Sequence, residues 1–413
     1  MTSRLHHALS DLAEQAPAPQ TVLTSRVIAR ARRRRRVRLI AMPIAAAGAA
    51  AAVVTGSVLV GGTTDSAPPA VNVTVPRNGV LNDGALPGPL PKKMNDPVTY
   101  AFLDRCKQKD VPSGKGLTGD CAQWRLLGRS GRQWRLTEGV GSYPKSTGSY
   151  MNSNAPLTIS PDGRRIAYYQ AKDERFVVRE LSSGRIVPID RRVPMTELYR
   201  NPYTLVFSGD GRRLVAHTAD DTVARKALLA DTTTGAVSDL PSTSVVGVGV
   251  GQDSAAVVLT EKRGKQTNLV LTGPDGRVRN RVPLDPRVDL SMATGENRLS
   301  PDGRTLFANA HSEGEGMLVD VRTGKVTRTL STRLPGGEAL TGIVGWTGPS
   351  EVLTSTDPPG SPWKNPPGRP GRQDDITGIR GLIINLHTGG TKLFGDFKLR
   401  ASQVAFQFGG YRS

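Results

Sequence analysis

Apolar residues recur along much of the chain in short runs, and pairs of these runs are separated by the same polar turn. In residues 299–308, the turn Ser300-Pro301-Asp302-Gly303 divides two apolar segments. Asp-Gly between two β-prone runs favours a hairpin, because Asp bonds to the backbone two residues on and Gly accepts a positive φ. Similar text occurs at residues 157–168 and 205–216, so the pattern predicts a repeated strand–turn–strand unit.

The repeated unit has a regular spacing. Equivalent turn positions follow one another at steps of 48, 44, 48 and 46 residues, at Ser160, Ser208, Gln252, Ser300 and Trp346. A second turn that contains Gly follows each first turn after 24, 27, 24, 24 and 43 residues, at Gly184, Gly235, Gly276, Gly324 and Gly389. Two hairpins per repeat give about four short strands, which is typical of one blade of a β-propeller.

The repeats also resemble a known family. The Ser-Pro-Asp-Gly-Arg segments at residues 160–164 and 300–304 are similar to the WD40-like, TolB-type propeller repeats of bacteria, and the resemblance covers residues 98–413. It implies an all-β propeller that serves as an interaction platform, although a fold does not fix a function. Turn chemistry explains the aspartates of these turns, and calcium ligation is the minor alternative, for Asp162, Asp210 and Asp302.

The two ends of the repeat region predict one further blade. Residues 124–136 have the pattern of the second hairpin of a blade without its first hairpin. Residues 401–408 alternate like a strand, and residues 98–103 add another candidate strand. A blade built from both ends would remove exposed sheet edges. We therefore predict about six four-stranded blades in residues 98–413, with seven as the alternative.

The N-terminal segment predicts a membrane anchor. Residues 39–62 contain no charged side chain, and 24 helical residues would span about 36 Å against a bilayer core of about 30 Å. The preceding residues 1–38 form a short, partly helical basic tail with five consecutive arginines at 32–36. Basic residues on that side place the tail in the cytoplasm and the rest outside. A cleaved signal peptide is the alternative.

Two further features are expected outside the membrane. Residues 63–97 are rich in Pro and predict an extended extracytoplasmic linker. Cys106 and Cys121 are the only cysteines, and an even pair in an oxidising compartment predicts a disulfide. A pair of free thiols is the alternative.

The long spacing in the last repeat indicates an insertion at residues 357–373. Long loops on a rigid scaffold often carry binding residues. The aromatic and basic side chains of this loop form a candidate contact patch for an anionic or aromatic partner, at Trp363, Lys364, Arg369 and Arg372. The alternative is a tolerated surface insertion without a binding role.

Signals of catalysis are missing from the sequence. None of the five histidines has a spacing typical of a metal site, and no hydrolase elbow or Walker loop is present. The expectation is therefore a protein without catalytic, cofactor or metal residues. The net charge is +19, but no basic patch is interleaved with aromatic residues, so a nucleic-acid partner is not expected.

These features together predict a single-pass membrane protein with a cytoplasmic N-terminus. Its extracytoplasmic propeller would act as a non-enzymatic binding or scaffold module for an unknown protein, glycan or small ligand. The alternative is a transmembrane signalling regulator whose tail binds a cytoplasmic factor such as a sigma factor. A propeller-based hydrolase or lyase is less favoured.

Overall fold

The computed structural model describes thirteen stretches of the chain. They are residues 87–104, 123–143, 153–200, 203–218, 227–241, 244–248, 257–264, 266–290, 297–310, 315–331, 340–356, 376–400 and 406–412. The tail at 1–38, the apolar segment at 39–62, both cysteines and the loop at 357–373 lie outside these residues. In the part of the chain that the structure describes, no helix has the length and apolar composition to cross a membrane.

The described residues form short strands and one helix. The first group is β1 (Val98–Asp104), β2 (Gln123–Gly128), β3 (Gln133–Arg135), β4 (Ser142–Tyr143), β5 (Ser153–Asn154), β6 (Leu157–Ile159), β7 (Arg165–Gln170), β8 (Arg175–Glu180) and β9 (Ile186–Arg192). The helix α1 (Met195–Arg200) is followed by β10 (Tyr203–Phe207), β11 (Arg213–Thr218), β12 (Ala227–Asp231), β13 (Val237–Leu240), β14 (Ser244–Val248), β15 (Val257–Arg263), β16 (Gln266–Thr272) and β17 (Val278–Pro283). The last group is β18 (Val288–Asp289), β19 (Thr305–Ala310), β20 (Glu315–Asp320), β21 (Val326–Ser331), β22 (Leu340–Gly348), β23 (Glu351–Thr356), β24 (Ile376–Asn385), β25 (Thr391–Arg400) and β26 (Phe406–Phe408).

Twenty-four of these strands form six four-stranded antiparallel sheets, which are the blades of a propeller, and β4 pairs with β5 in a separate two-stranded sheet. Blade 1 has the order β26-β1-β2-β3, and blades 2 to 6 are β6–β9, β10–β13, β14–β17, β18–β21 and β22–β25. In blade 1, β26 pairs with β1 through Tyr100 opposite Phe408. The prediction of an all-β propeller with six four-stranded blades is confirmed for the described residues.

The position of each strand in its blade determines its burial. The second strand of blade 2, β7, is buried along its middle, whereas the fourth strand, β9, alternates between buried and exposed residues before a fully exposed end. The middle strands are covered on both faces by neighbouring blades, which explains their continuous apolar runs. The first strands of adjacent blades contact one another, as β6 does with β10 and β26, so they line the centre of the ring.

The core lies between the blades. Between blades 6 and 1, the rings of Tyr100 and Phe397 stack with centroids 4.2 Å apart, and Phe408 packs edge-on against both. Between blades 2 and 3, Phe176 packs against Tyr203 at 5.3 Å. Such aromatic contacts add specificity to apolar burial.

Residues 87–97 also pack on the propeller, although the sequence assigns them to the linker. Pro89 bridges to Arg135 beside β3, and Met94 donates its backbone N–H to the Leu181 carbonyl in blade 2 at 2.7 Å. The side chains of Leu90 and Met94 are buried in the cluster shared by blades 1 and 2. A Pro-rich segment can therefore dock when its few apolar residues meet an open sheet edge.

Candidate binding face

The order of the strands gives the propeller two different faces. The turns that join first to second strands, and third to fourth strands, lie at one end of every blade, which we call the turn face. The connections between second and third strands, and from one blade to the next, lie at the opposite end, the loop face.

On the turn face, the aspartates of the repeated turns hold the turns themselves. Asp162 accepts hydrogen bonds from the hydroxyl of Ser160 at 2.5 Å and from the backbone N–H of Arg164 at 3.0 Å. The same bonds recur at Ser208 with Asp210 and at Ser300 with Asp302. Among the described residues, no group of three or more His, Cys, Asp or Glu side chains could hold a metal ion.

The C-terminal segment lies across these turns. The backbone N–H of Arg412 donates to the Pro161 carbonyl in blade 2 at 2.8 Å, and its guanidinium donates to the Gly209 carbonyl in blade 3 at 2.8 Å. Gly409 donates to the Thr99 carbonyl in blade 1, and Tyr411 packs partly buried against blade 6. The C-terminal segment thus joins turns of blades 1, 2 and 3 on the turn face.

On the loop face, a cleft of about 340 Å³ opens between blades 2 and 3. Its apolar lining comes from the connection after β9, the starts of β10 and β12, and the end of β13. Its rim carries guanidinium, carboxylate and phenol groups. The lining residues that matter here are Arg191, Arg192, Val193, Glu197, Tyr203, Leu228, Asp239 and Leu240.

The polar groups of this cleft are paired with one another. Arg191 at the end of β9 bonds to Asp239 on β13 at 2.8 Å, which joins blade 2 to blade 3. The hydroxyl of Tyr203 donates to Glu197 of α1 at 2.7 Å. Burial, followed by the hydrogen bond and the negative charge of Glu197, raises the pKa of the Tyr203 phenol well above its ordinary value. The phenol therefore remains a hydrogen-bond donor across the physiological range.

Glu174 supports the same cleft from the hairpin between β7 and β8. Its carboxylate bonds to Arg192 at 2.6 Å, and its carbonyl accepts the backbone N–H of Val193 at 2.8 Å. Its φ is 48°, in the left-handed region that favours Gly, and it is the only non-Gly residue with a positive φ among the described residues. Strained backbone of this kind clusters at functional sites.

The loop that contains the predicted contact residues starts and ends at the same face. Trp363, Lys364, Arg369 and Arg372 lie outside the described residues, but their loop joins the second and third strands of blade 6, and its flanking residues Thr356 and Ile376 lie at the loop face. The Cys106–Cys121 disulfide also falls outside the described residues and stays a prediction.

The sequence did not single out the residues of the cleft. No motif or regular spacing in the sequence marks these residues. The one feature that could have pointed to the cleft is the ten-residue connection between β9 and β10, which contains α1. A six-residue helix is too short to show a clear apolar period, so the sequence alone gave little reason to expect it.

The fold and its closure define the protein as a six-bladed β-propeller. Similar solved structures include the putative TolB from Agrobacterium tumefaciens, at 12% identity and a TM-score of 0.41, covering 74% of this chain and 92% of that one. TolB from Acinetobacter baumannii shares 16% identity with a TM-score of 0.38, covering 77% and 67%. An oligogalacturonate lyase bound to manganese shares 17% identity with a TM-score of 0.38, covering 71% and 77%.

No family model and no curated protein matches this chain. The neighbouring structures include TolB-type propellers, as the sequence resemblance implied, and the likeness concerns the fold alone. At identities of 12–17% and TM-scores of 0.38–0.41, no binding or catalytic residue is carried over from any of these structures.

Proposed function

We propose that this protein is a single-pass membrane protein that presents its propeller outside the cell membrane as a non-enzymatic binding module. The 24 uncharged residues at 39–62 and the arginines before them support the anchor and its orientation. The partner binds on the loop face.

The observation that carries this proposal is the difference between the two faces. On the turn face, the Ser and Asp side chains of the repeated turns are bonded within their own turns, and Arg412 of the C-terminal segment bonds to the turns of blades 2 and 3. On the loop face, a cleft of about 340 Å³ has an exposed polar rim, and the longest insertion of the repeat region starts and ends there. The turn face has a cleft of about 290 Å³ between residues 94–97 and blade 2, so the insertion and the exposed rim, and not a cleft as such, distinguish the loop face. Binding residues on propellers and other rigid scaffolds concentrate on such connections.

Site-specific photocrosslinking in intact cells tests the proposal. A photoreactive residue replaces Lys172, which is exposed in the β7–β8 hairpin of the loop face, and the matched control replaces Arg304, which is exposed on the turn face. We expect a partner or a cell-envelope polymer to be captured from position 172 and not from position 304.

Two results would contradict the proposal. Equal capture from both positions would remove the distinction between the faces. Capture through residues 1–38 only would favour the alternative of a transmembrane regulator whose tail binds a cytoplasmic factor.

A further inference from the structure

We infer that the cleft between blades 2 and 3 binds an uncharged saccharide unit. This inference rests on the proposed binding function and names the ligand class of one site on the loop face. It is carried by the arrangement of donors, acceptors and apolar surface in the cleft, which matches the chemistry of a sugar ring.

The floor of the cleft is apolar. Val193, Leu228 and Leu240 are buried, as is the ring of Tyr203 beside them. A pyranose ring presents C–H groups on its faces, and these groups lose little when they leave water for an apolar or aromatic surface. The volume of about 340 Å³ lies at the small end of ligand clefts and suits about one or two sugar units.

The rim carries both donors and acceptors of hydrogen bonds. Arg191 and Arg192 offer guanidinium N–H groups, and Glu197 and Asp239 offer carboxylate oxygens. Each sugar hydroxyl both donates and accepts a hydrogen bond, so neighbouring hydroxyls are satisfied best where a carboxylate and a guanidinium lie side by side. The side chains of Arg192 and Asp239 are 71% and 70% exposed, so a ligand can reach them.

The charged groups of the rim are already paired, which disfavours an ionic ligand. Arg191 is bonded to Asp239 at 2.8 Å and Arg192 to Glu174 at 2.6 Å, and Glu197 accepts from the Tyr203 hydroxyl at 2.7 Å. An anion would have to displace one of the paired carboxylates, and a cation would have to compete with a guanidinium or with the Tyr203 hydroxyl. A neutral polyol adds hydrogen bonds to the paired groups without breaking the pairs. The pairs also limit the rotamers of these side chains, which lowers the entropy lost on binding.

The test uses the full-length protein in detergent and a panel of soluble oligosaccharides. The panel holds neutral hexose and N-acetylhexosamine oligomers, with uronic-acid and amino-sugar oligomers of equal length and a set of short peptides for comparison. Ligand-observed NMR measures the dissociation constants down to weak affinities. We expect a neutral oligosaccharide to bind more tightly than its charged counterparts and the peptides.

Matched variants locate the site. Asp239→Asn and Arg191→Gln each remove one charge-assisted pairing group at the rim, and we expect each to weaken binding about tenfold or more. The control is Arg281→Gln on β17, whose guanidinium pairs with Glu261 at 3.2 Å and is 45% exposed, against 46% for Arg191. This control should leave binding unchanged, and unfolding temperatures should agree among the variants.

The inference is overturned if no neutral oligosaccharide binds, if a charged oligosaccharide or a peptide binds best, or if Arg281→Gln weakens binding as much as Arg191→Gln. The proposed binding function fails separately, through the crosslinking at positions 172 and 304. Capture from position 172 without any saccharide binding would refute the ligand class alone.

Discussion

The turn face and the loop face are the two ends of the same strands, but they use their polar residues differently. On the turn face, the hydroxyl of Ser300 bonds to Asp302 and also accepts the backbone N–H of Thr305 at 2.9 Å. On the loop face, Asp239 pairs with Arg191 and Arg192 pairs with Glu174 at the rim of an open cleft, and Arg192 and Asp239 remain largely exposed. One face holds the blades in shape, and the other has groups that can change partners.

The comparison predicts different effects of substitution. A substitution on the turn face either leaves a buried backbone group without its hydrogen-bond partner or pushes two adjacent backbone segments apart. Its effect should therefore appear in the free energy of unfolding. Removing a loop-face group breaks an exposed ion pair, which contributes little to stability. Changes on the loop face should therefore appear mainly in binding.

The largest effect is expected from Gly324→Ala on the turn face. Gly324 has a φ of +68°, and an added Cβ would lie 2.0 Å from the Pro283 carbonyl oxygen of the preceding blade. Gly264→Ala in the β15–β16 hairpin of the loop face is the matched control, because its φ is +61° and nothing lies within 4 Å. Both variants carry the left-handed penalty of about 1–2 kcal/mol, but only the first adds a backbone clash, for a total loss of about 3 kcal/mol or more.

Denaturant unfolding of the two variants measures this difference. Equal destabilisation would show that the contact between blades 4 and 5 at this turn relaxes without loss, and that the turn face does not depend on close backbone approach.

A smaller effect is expected from Ser300→Ala. Ser300 is 3% exposed, and its hydroxyl serves both Asp302 and the Thr305 N–H group. We expect a loss of about 1–2 kcal/mol in the free energy of unfolding. Ser183→Ala is the control, because that hydroxyl bonds to Glu180 at 2.9 Å on the exposed surface of the same face. A control that destabilises as much would mean that burial of the turn is unimportant.

The contrast between local and distant contacts also explains what the sequence could predict. The Asp-Gly turns depend on neighbouring residues, so the hairpins at 157–168, 205–216 and 299–308 and the number of blades were predictable. The strand at β26 was recognisable from its alternation, and its pairing with β1 follows from the need to cover sheet edges.

The cleft was not predictable in the same way. Arg191 and Asp239 lie 48 positions apart and meet because two blades pack side by side. The packing of residues 87–97 likewise depends on the edge of β3, which composition does not reveal. The turns depend on residues adjacent in the sequence, whereas this cleft forms only when two blades pack against each other.

A still smaller effect on stability is expected from Glu174→Gly on the loop face. The substitution relieves the left-handed strain at a φ of 48°, worth about 1–2 kcal/mol, and removes the bonds to Arg192 and to the Met195 N–H group. These changes oppose each other, so the net change should stay within about 1 kcal/mol. Binding at the cleft should nevertheless weaken, because Arg192 loses the group that orients it.

Calorimetry and the saccharide titration, made on the same preparation, check this prediction. Glu174→Gln is the companion variant, because it retains the strain and keeps a side-chain oxygen that can accept from Arg192. If Glu174→Gly binds the saccharide as tightly as the parent protein does, Glu174 is not a positioning residue for the cleft.

The smallest effect is a dependence on pH at the turn face. Partial burial raises the pKa of Asp231, but hydrogen bonds from the backbone N–H groups of Thr234 and Thr233 outweigh it, and the net pKa lies below the ordinary value of 3.8. A carboxylate with a lowered folded pKa stabilises the protein above its unfolded pKa, and this stabilisation is lost as the pH falls through the folded pKa.

Asp231→Asn isolates this contribution. The variant should approach the parent as the pH falls through the lowered folded pKa and be slightly less stable above about pH 5, because the amide oxygen accepts the same N–H groups more weakly than the carboxylate does. The difference should be small, since the side chain is exposed. Urea unfolding across this range measures it, and parallel curves for the two proteins would show that the backbone holds this turn without the charge. In that case the difference between the faces would rest on packing and close backbone approach alone.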